Sequence, residues 1–170
     1  MIETELPLET VYIGFGSNMG DRIKNVGRML SLLGQIEVSH IRCSSLWLSE
    51  PLDMVGGSEA FINGAIEMRT LLSPMALLDQ LQHIEVIMGR PADHGKNTSR
   101  VIDLDIISFG DERIATAELV VPHPRVSERL FVLKPLMELV PALMMPGYRL
   151  SVTELAALAP PMALSLFSPQ

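Results

Sequence analysis

Two stretches of the sequence carry apolar residues at the spacing of an amphipathic helix. The first follows Asp21, a typical helix N-cap residue, and ends at Gly34. The second follows Ser73 and Pro74, a pair typical of an N-cap and a first helical position, and ends at Gly89. We therefore predict two helices. The residues that recur at helical spacing in the first are Ile23, Val26, Met29, Leu30 and Leu33, and the predicted buried stripe of the second is formed by Leu77, Leu78, Leu81, Ile84 and Met88.

Four other stretches have the pattern of β-strands, being apolar or alternating and bounded by turn residues. They are residues 11–15, 36–48, 60–68 and 101–109. In the longest of them, Ile36, Val38 and Trp47 are the predicted inward-facing residues. Beyond these strands the pattern predicts a short extended piece at residues 119–121.

The last third of the chain is less regular. Residues 126–140 have helical periodicity, which we expect Pro135 to interrupt because proline lacks a backbone N–H. The end of the chain, residues 156–170, is apolar and rich in Pro and Ala. We expect it to pack loosely on the domain or on a partner.

The order of these elements predicts the fold class. Strand, helix, strand, strand, helix, strand is the split βαβ pattern of a ferredoxin-like α+β fold. In such a fold an antiparallel sheet carries helices packed on one face. We predict a single domain over residues 1–170, with a core at about 11–147 and a C-terminal tail at 148–170.

Composition narrows the classes of function. The 170 residues are 48% hydrophobic and 19% charged, with a formal net charge of −7, which favours a globular protein and disfavours broad binding to nucleic acid or membranes. A single cysteine, Cys43, excludes an intramolecular disulfide. There is no apolar run of the length that spans a membrane and no secretory signal pattern, so we expect a cytoplasmic protein.

The strongest local motif is the segment Val101-Ile102-Asp103-Leu104-Asp105-Ile106-Ile107. Side chains alternate along a strand, so Asp103 and Asp105 share one face, about 7 Å apart along the strand. Two such carboxylates can hold Mg²⁺ ions that serve a phosphoryl transfer. The other interpretation, two solvated acids on a half-exposed strand, is equally compatible with the segment alone.

A second cluster contains His123, Arg125, Arg129 and Phe131, with His123 held between two prolines. His123 and Arg129 can bind phosphate oxygens, although a surface turn followed by a helix with ordinary charges explains the local pattern better. Glycines near the first strand fit neither a P-loop nor a dinucleotide-binding motif, so any ATP site must be built differently.

Taken together, these segments resemble 6-hydroxymethyl-7,8-dihydropterin pyrophosphokinase, an enzyme family of folate synthesis. The resemblance extends from about residue 11 to 147, and its most specific parts are Arg100-Val101-Ile102-Asp103-Leu104-Asp105 and Pro122-His123-Pro124-Arg125 followed by Arg129 and Phe131. It implies a ferredoxin-like fold, ATP as co-substrate and two Mg²⁺ ions. The implied reaction is attack of the pterin hydroxymethyl oxygen on the β-phosphorus of ATP, with AMP leaving.

The resemblance also implies roles for individual residues. Asp103 and Asp105 match the magnesium ligands, and Arg90 and Arg100 match arginines of the catalytic centre. Positions that match the nucleotide-facing set are Gln82, Glu85, His123 and Arg129. Positions that match the pterin pocket are Ser49, Leu52, Phe61, Asn63 and Phe131. The implied partners are small molecules, bound by a monomer or a small homo-oligomer.

The sequence departs from the family pattern mainly in loops. Many members carry an arginine where this chain has Ala92, Trp-Gly-Pro where it has Asn97-Thr98-Ser99, and Thr-Pro where it has Ser49-Glu50. These changes leave open a second hypothesis, a regulatory domain that binds pterin or ATP and turns over poorly. Retention of both acids favours the enzyme, and a metabolite sensor without phosphate chemistry would leave the acids unexplained.

Overall fold

The strands form antiparallel pairs throughout the part of the chain that the computed structural model describes, residues 7–50, 59–90 and 99–169. In chain order the strands are β1 (Glu9–Ser17), β2 (Val38–Cys43), β3 (Trp47–Ser49), β4 (Phe61–Thr70), β5 (Asp103–Phe109), β6 (Ile114–Ala115), β7 (Val120–Val121) and β8 (Leu164–Leu166). The helices are α1 (Arg22–Leu33), α2 (Pro74–Ile87), α3 (Leu130–Leu139) and α4 (Val152–Leu158), with a short 3-10 helix over Val126–Glu128.

The main sheet confirms the predicted fold class. Its neighbouring strands are β5, β1, β4, β3 and β8, and β2 pairs with the same edge of β4 as β3 does. Helix α1 connects β1 to β2 and helix α2 connects β4 to β5, which is the split βαβ arrangement of a ferredoxin-like fold. β6 and β7 form a separate hairpin.

Helices cover both faces of this sheet, whereas the sequence predicts helices on one face. One core contains α1 and α2 against sheet residues such as Ile13 and Ile66. A second core contains α3 and α4 against Tyr12, Ala65 and Ile107 on the opposite face. The α3 and α4 core covers only part of its face, and the rest of that face carries the site described below.

Both helices expected from the sequence form, with the predicted caps. The Asp21 carboxylate accepts a hydrogen bond from the Lys24 backbone N–H at 3.1 Å, and the Ser73 hydroxyl accepts one from the Ala76 N–H at 3.2 Å. Pro74 occupies the first helical position of α2, where no backbone hydrogen bond is lost.

The prediction of one long strand over residues 36–48 is wrong. Two short strands, β2 and β3, lie end to end against β4, separated by a break at Ser44. The Ser44 hydroxyl accepts a hydrogen bond from the Ala65 N–H at 2.9 Å, and Glu138 of α3 accepts bonds from the Ser45 N–H and the Trp47 indole N–H. These side-chain bonds, together with a bond from the Ser44 N–H to the Ala65 carbonyl at 2.9 Å, hold the chain at the break.

The predicted inward positions of this stretch are only partly buried. Ile36 and Val38 pack at the margin of the α1 and α2 core, while Trp47 is half-buried and its indole N–H bonds Glu138 at 2.6 Å. The side chain of Trp47 is thus held by a polar contact with α3.

Pro135 does not interrupt the helix that contains it. α3 continues through this residue, and the break falls earlier, at Arg129, whose backbone has φ −110° and ψ 88°. The Pro135 ring is buried with Leu136 in the core, and this apolar contact offsets the missing N–H.

The end of the chain is ordered rather than loosely packed. α4 begins with a capping box, in which the Ser151 hydroxyl and the Glu154 carboxylate each bond the other residue's backbone N–H. Beyond it, β8 adds an edge strand to the main sheet by pairing with β3. None of the helices in the described ranges is long and apolar enough to cross a membrane.

Gly64 is a sensitive point of this packing. A β-carbon at this position of β4 would overlap the ring of the buried Phe15. We expect Gly64→Ala to lower the free energy of unfolding by about 2 kcal/mol or more, because the core must shift to admit the methyl group. Chemical denaturation measures this change. The control is Gly27→Ala in the exposed part of α1, where the added methyl group meets no atom within 4 Å; it should stabilise the protein by up to about 1 kcal/mol.

Candidate active site

Acidic and amide side chains lie in rows across the main sheet. Asp103 of β5 is directly opposite Gly16 of β1, and Gly16 is in turn opposite Asn63 of β4. In the next row Asp105 is opposite Gly14. Residues opposite each other in antiparallel strands project to the same face. Asp103, Asp105 and Asn63 therefore share the face that α3 and α4 leave open.

The two glycines keep the middle of this face, along β1, free of side chains. A β-carbon on Gly16 would lie 3.3 Å from the Asn63 Oδ1 atom, and one on Gly14 would lie 3.3 Å from Ile107. The floor of the site is therefore bare backbone, which allows a ligand to approach closely. Above it lies a cavity of about 310 Å³. Its walls are formed by Gly14, Phe15, Gly16, Ser49, Glu50, Phe61, Asn63, Arg100, Asp103, Asp105, Arg125, Glu128, Arg129, Phe131, Val132 and Met162.

Arginines surround the first of the two acids. The Arg100 guanidinium donates to Asp103 Oδ1 at 2.7 Å, and Arg90 Nη1 lies 3.4 Å from the same oxygen. Arg90 is also paired with the carboxylate of Glu85. Arg100 is itself held by Asn18, whose Oδ1 accepts from the Arg100 backbone N–H at 2.6 Å. Positive charge is thus fixed beside Asp103.

Glu85 connects helix α2 to the strand that carries both acids. It is 4% exposed, and its Oε1 accepts a hydrogen bond from the Leu104 backbone N–H at 2.8 Å. Burial raises the pKa of the Glu85 carboxyl, while the bond from Leu104 counteracts part of this effect. Because Leu104 lies between Asp103 and Asp105, this bond fixes the backbone from which both acids project.

The negative charge of Asp105 is less well compensated by neighbouring arginines than that of Asp103. Burial, and next the charge of Asp103, raise the pKa of Asp105 to about 6. Its nearest cationic atom in an ion pair is Arg129 Nη1, at 3.8 Å. A divalent cation between the two carboxylates would relieve this repulsion, so the residues present fit a metal ion that also binds phosphate oxygens. Within the described ranges, no group of three or more His, Cys, Asp or Glu side chains is placed to hold a metal without such a ligand.

His123 is positioned as a neutral donor beside Arg129. Burial, and next the charges of Arg129 and Arg125, lower the pKa of His123 to about 4. Its Nδ1 accepts from the Arg125 backbone N–H at 3.1 Å, so the proton of the neutral ring is on Nε2. Nε2 lies 3.5 Å from Arg129 Nη1. Both atoms carry hydrogens and can donate to one anion.

The other end of the cavity suits a flat polar ring. Asn63 is 4% exposed, and its Nδ2 donates to Ser49 Oγ at 2.7 Å and to the Trp47 carbonyl at 3.3 Å. A carbonyl can only accept, so this contact assigns the orientation of the amide and leaves Oδ1 on the Gly16 side of the cavity. Phe61 and Phe131 line the same cavity, and the Arg129 guanidinium lies 5.7 Å from the centre of the Phe131 ring.

The structure brings together most of the residues singled out in the sequence. Those that line the cavity are Ser49, Phe61, Asn63, Arg100, Asp103, Asp105, Arg129 and Phe131. Glu85 and Arg90 lie behind Asp103, and His123 lies beside Arg129, so all three contact the wall without forming it. Gln82 is exposed on α2 and outside the cavity wall. Leu52 and the departures at Ala92, Asn97 and Thr98 lie outside the described residues.

Several wall residues were not predicted as site residues from the sequence. Gly14 and Gly16 fit neither a P-loop nor a dinucleotide-binding motif, although a glycine at every second strand position indicates an open face. Arg125 belongs to the motif that contains His123 and was not assigned a role. Met162 gave no sequence signal, because its place depends on the pairing of β8 with β3.

The fold and the cavity define a ferredoxin-like protein with a charged end and an aromatic, amide-lined end to its site. The model of the family described as 7,8-dihydro-6-hydroxymethylpterin-pyrophosphokinase (HPPK) matches residues 12–141, and the chain belongs to this family. This membership confirms the family expected from the sequence.

Relatives with the same description cover most of the chain. It is 41% identical over 129 residues to the 2-amino-4-hydroxy-6-hydroxymethyldihydropteridine pyrophosphokinase of Bacillus subtilis, covering 75% of this chain and 76% of the relative. It is 35% identical over 154 residues to the protein of that name from Pseudomonas aeruginosa, covering 90% of this chain and 93% of the relative.

Solved structures agree on the fold. An HPPK-DHPS protein in complex with substrates superposes with a TM-score of 0.68 at 15% identity, covering 89% of this chain and 43% of the solved one. Wild-type Plasmodium falciparum HPPK-DHPS with pteroate gives a TM-score of 0.68 at 13% identity, covering 89% and 44%. The chain therefore spans less than half the length of these two proteins.

Proposed function

We propose that this protein transfers the pyrophosphoryl group of ATP to the hydroxymethyl oxygen of 6-hydroxymethyl-7,8-dihydropterin, which yields AMP and the pterin diphosphate. The names of the two relatives, which the chain matches over 76% and 93% of their lengths, support this reaction. The observation that carries the proposal is the pair Asp103 and Asp105, which project from β5 over a glycine floor with arginines fixed beside them.

The two acids are proposed as ligands of Mg²⁺, with two ions bound when ATP is present. Bound at Asp103 and Asp105, the metal would neutralise charge on the triphosphate and on the transferring group. Burial and the charge of Asp103 raise the pKa of Asp105, and a cation bound between the two carboxylates would favour its ionised form.

The cationic side chains of the site have the role of binding phosphate oxygens. Arg129 lies on the cavity wall and His123 lies next to it with an Nε2–H, so the two can donate to neighbouring oxygens of one phosphate group. Arg100 and Arg90 hold Asp103 and are close enough to the cavity to exchange part of that contact for the nucleotide. Gln82 and Glu85 complete the nucleotide side; from its buried position Glu85 acts by holding Leu104.

The opposite end is proposed to bind the pterin. The Asn63 Oδ1 accepts hydrogen bonds from ring N–H groups, while Phe61 and Phe131 contact the flat faces of the ring. Ser49 fixes the Asn63 amide, and Leu52 is proposed to complete the pocket. The hydroxymethyl oxygen then points toward the acidic end of the same cavity.

This arrangement needs no covalent intermediate. The hydroxymethyl oxygen forms a bond to the β-phosphorus as the bond to the α-phosphate oxygen breaks, AMP leaves with that oxygen, and the hydroxyl proton is released to solvent. Transfer of this kind depends mainly on positioning and on charge neutralisation. The protein supplies positioning through Asn63 on β4 and Asp103 and Asp105 on β5, and charge neutralisation through Arg100, Arg129 and the ions that the two acids would hold.

The remaining expectations about the protein stay part of this proposal. We propose that it acts in the cytoplasm as a monomer or small homo-oligomer and that its partners are small molecules rather than nucleic acid or membranes. The domain is proposed to comprise residues 1–170.

One assay tests the reaction. The protein is incubated with ATP, Mg²⁺ and 6-hydroxymethyl-7,8-dihydropterin, and the nucleotide products are separated. We expect AMP and pterin diphosphate in equal amounts. The matched control is 6-methyl-7,8-dihydropterin, which lacks the attacking oxygen and should give no AMP. ADP as the product would mean transfer of a single phosphoryl group, and binding of both ligands without turnover would mean a regulatory domain.

A further inference from the structure

We propose that the C-terminal strand completes the pterin end of the cavity and that Met162 is a contact residue that determines pterin affinity. This inference rests on the proposed function. The family model matches residues 12–141, and the C-terminal strand lies beyond this region. The inference therefore gives a role to a segment outside the match.

The strand is fixed directly beside the proposed pterin pocket. In its pairing with β3, Leu164 is opposite Ser49 and Leu166 is opposite Trp47. Ser49 and Trp47 are the residues whose oxygen atoms accept from the Asn63 amide. β8 therefore supports the strand that orients the amide proposed to read the pterin.

The connection on either side of Met162 is also restrained. Phe167 donates its backbone N–H to the Leu46 carbonyl at 2.8 Å, and its side chain packs at the margin of the α1 and α2 core. On the other side Pro160 and Pro161 limit the backbone between α4 and β8. Met162 is thus held at the cavity by a short segment whose backbone is restrained on both sides.

The side chain of Met162 is half-buried and lines the same cavity as Ser49, Phe61 and Phe131. Leu164 is the partner of Ser49, and Met162 lies two residues before Leu164 on the same face. Met162 therefore extends from the amide-lined end of the cavity rather than from the acidic end. It brings no charge and no strong hydrogen-bonding group. Its contribution is contact with the ligand and exclusion of water.

A methionine suits contact with a flat heteroaromatic ring. The thioether is polarisable and makes favourable contacts with aromatic rings, and the unbranched side chain adapts its shape to them. The adenine of ATP is also such a ring, but the nucleotide is proposed to bind at the acidic end of the cavity, away from Met162. Loss of this side chain should therefore weaken the pterin and leave ATP nearly unaffected.

The test compares three variants of the full chain, Met162→Ala, Met162→Leu and Met144→Ala. Met144 is 61% exposed and outside the cavity wall, so it is the matched control for loss of a methionine side chain. Each protein is titrated with 6-hydroxymethyl-7,8-dihydropterin and, separately, with ATP and Mg²⁺. Thermal unfolding of each variant is measured alongside.

We expect Met162→Ala to raise the Kd of the pterin roughly five- to tenfold, because the contact surface of the truncated side chain is lost. The Kd of ATP should change by less than about twofold, since ATP is proposed to bind at the acidic end of the cavity, away from Met162. Met162→Leu keeps the volume and should restore most of the pterin affinity, and Met144→Ala should match the wild-type protein.

Two results would overturn the inference while the proposed function stands. One is an unchanged pterin Kd in Met162→Ala; the other is an equal loss of pterin and ATP affinity, which would indicate a general effect on the fold. If the wild-type protein forms no AMP and binds no pterin, the proposed function fails and this inference fails with it.

Discussion

Replacement of Asp105 by Asn should lower the rate of AMP formation by at least about 100-fold, because the substitution removes one carboxylate from the proposed metal-binding pair. The shape of the side chain is nearly unchanged, so the cavity and its glycine floor remain intact. The rate is measured at saturating ATP, Mg²⁺ and pterin, so that a loss of affinity alone cannot explain the result.

The fold should tolerate this substitution. The pKa of Asp105 is raised from 3.8 to about 6, which means that its ionised form is disfavoured in the folded protein. Above pH 6 the ionised carboxylate therefore lowers the stability of the metal-free protein, and an uncharged amide removes that effect. We expect the melting temperature of Asp105→Asn at pH 7 to equal or exceed that of the wild type.

A matched control comes from the same strand-turn region. Asp111 is an exposed acid in the turn after β5 and is not part of the cavity wall. Asp111→Asn should retain the wild-type rate. A wild-type rate in Asp105→Asn itself would show that the acids on β5 do not take part in the transfer.

Replacement of Asn63 by Ala should weaken pterin binding by roughly 10- to 100-fold, because a buried hydrogen-bond acceptor for the ring is lost. The Asn63 amide is held by Ser49 and by the Trp47 carbonyl, so its Oδ1 is presented to a ligand in a fixed orientation. The same titration with ATP and Mg²⁺ should give a Kd within about twofold of the wild type, since Asp103 and the arginines are unchanged.

The ATP titration serves as the internal control for this variant. Asn63 lies one strand away from Gly16 and two strands away from Asp103, so a local change in the amide should not reach the nucleotide end. Equal losses for the two ligands would contradict the assignment of Asn63 to the pterin pocket. A change confined to ATP would reverse the proposed orientation of the substrates in the cavity.

The parts of the fold that the sequence predicts correctly depend on patterns that act over a few neighbouring residues. The caps at Asp21 and Ser73 and the apolar stripes behind them define α1 and α2, because these signals act within one or two helical turns. The common face of Asp103 and Asp105 follows in the same way from strand alternation.

The parts that were missed depend on contacts between distant residues. The break between β2 and β3 is held by Glu138, which lies 93 positions from Ser45 and 91 positions from Trp47 in the chain. β8 forms because β3 has a free edge, and three residues carry too little pattern to predict this pairing. The break before α3 at Arg129, rather than at Pro135, likewise depends on burial of the proline ring.

The site, like the fold, has some features that local patterns predict and others that depend on contacts between distant residues. The heptapeptide around Asp103 and Asp105 predicts that both acids share one face and leaves open whether they bind metal, whereas the aromatic and amide residues are predicted only through the resemblance to a family. The role of Glu85 as the support of Leu104 requires a carboxylate buried between helix and strand, which a lone glutamate in a helical stripe does not indicate. The glycine floor becomes meaningful only once the register of three strands is known.

The row formed by Asp103, Gly16 and Asn63 fixes the distance between the acidic end and the amide-lined end of the site. Adjacent strands are separated by about 4.8 Å, so the backbone positions of Asp103 and Asn63 are about 10 Å apart. This span is set by backbone hydrogen bonds and does not stretch to suit a ligand. In the proposed arrangement an alcohol carried on a longer arm would place its oxygen beyond the phosphorus, and we therefore expect the sheet to select substrates by their length.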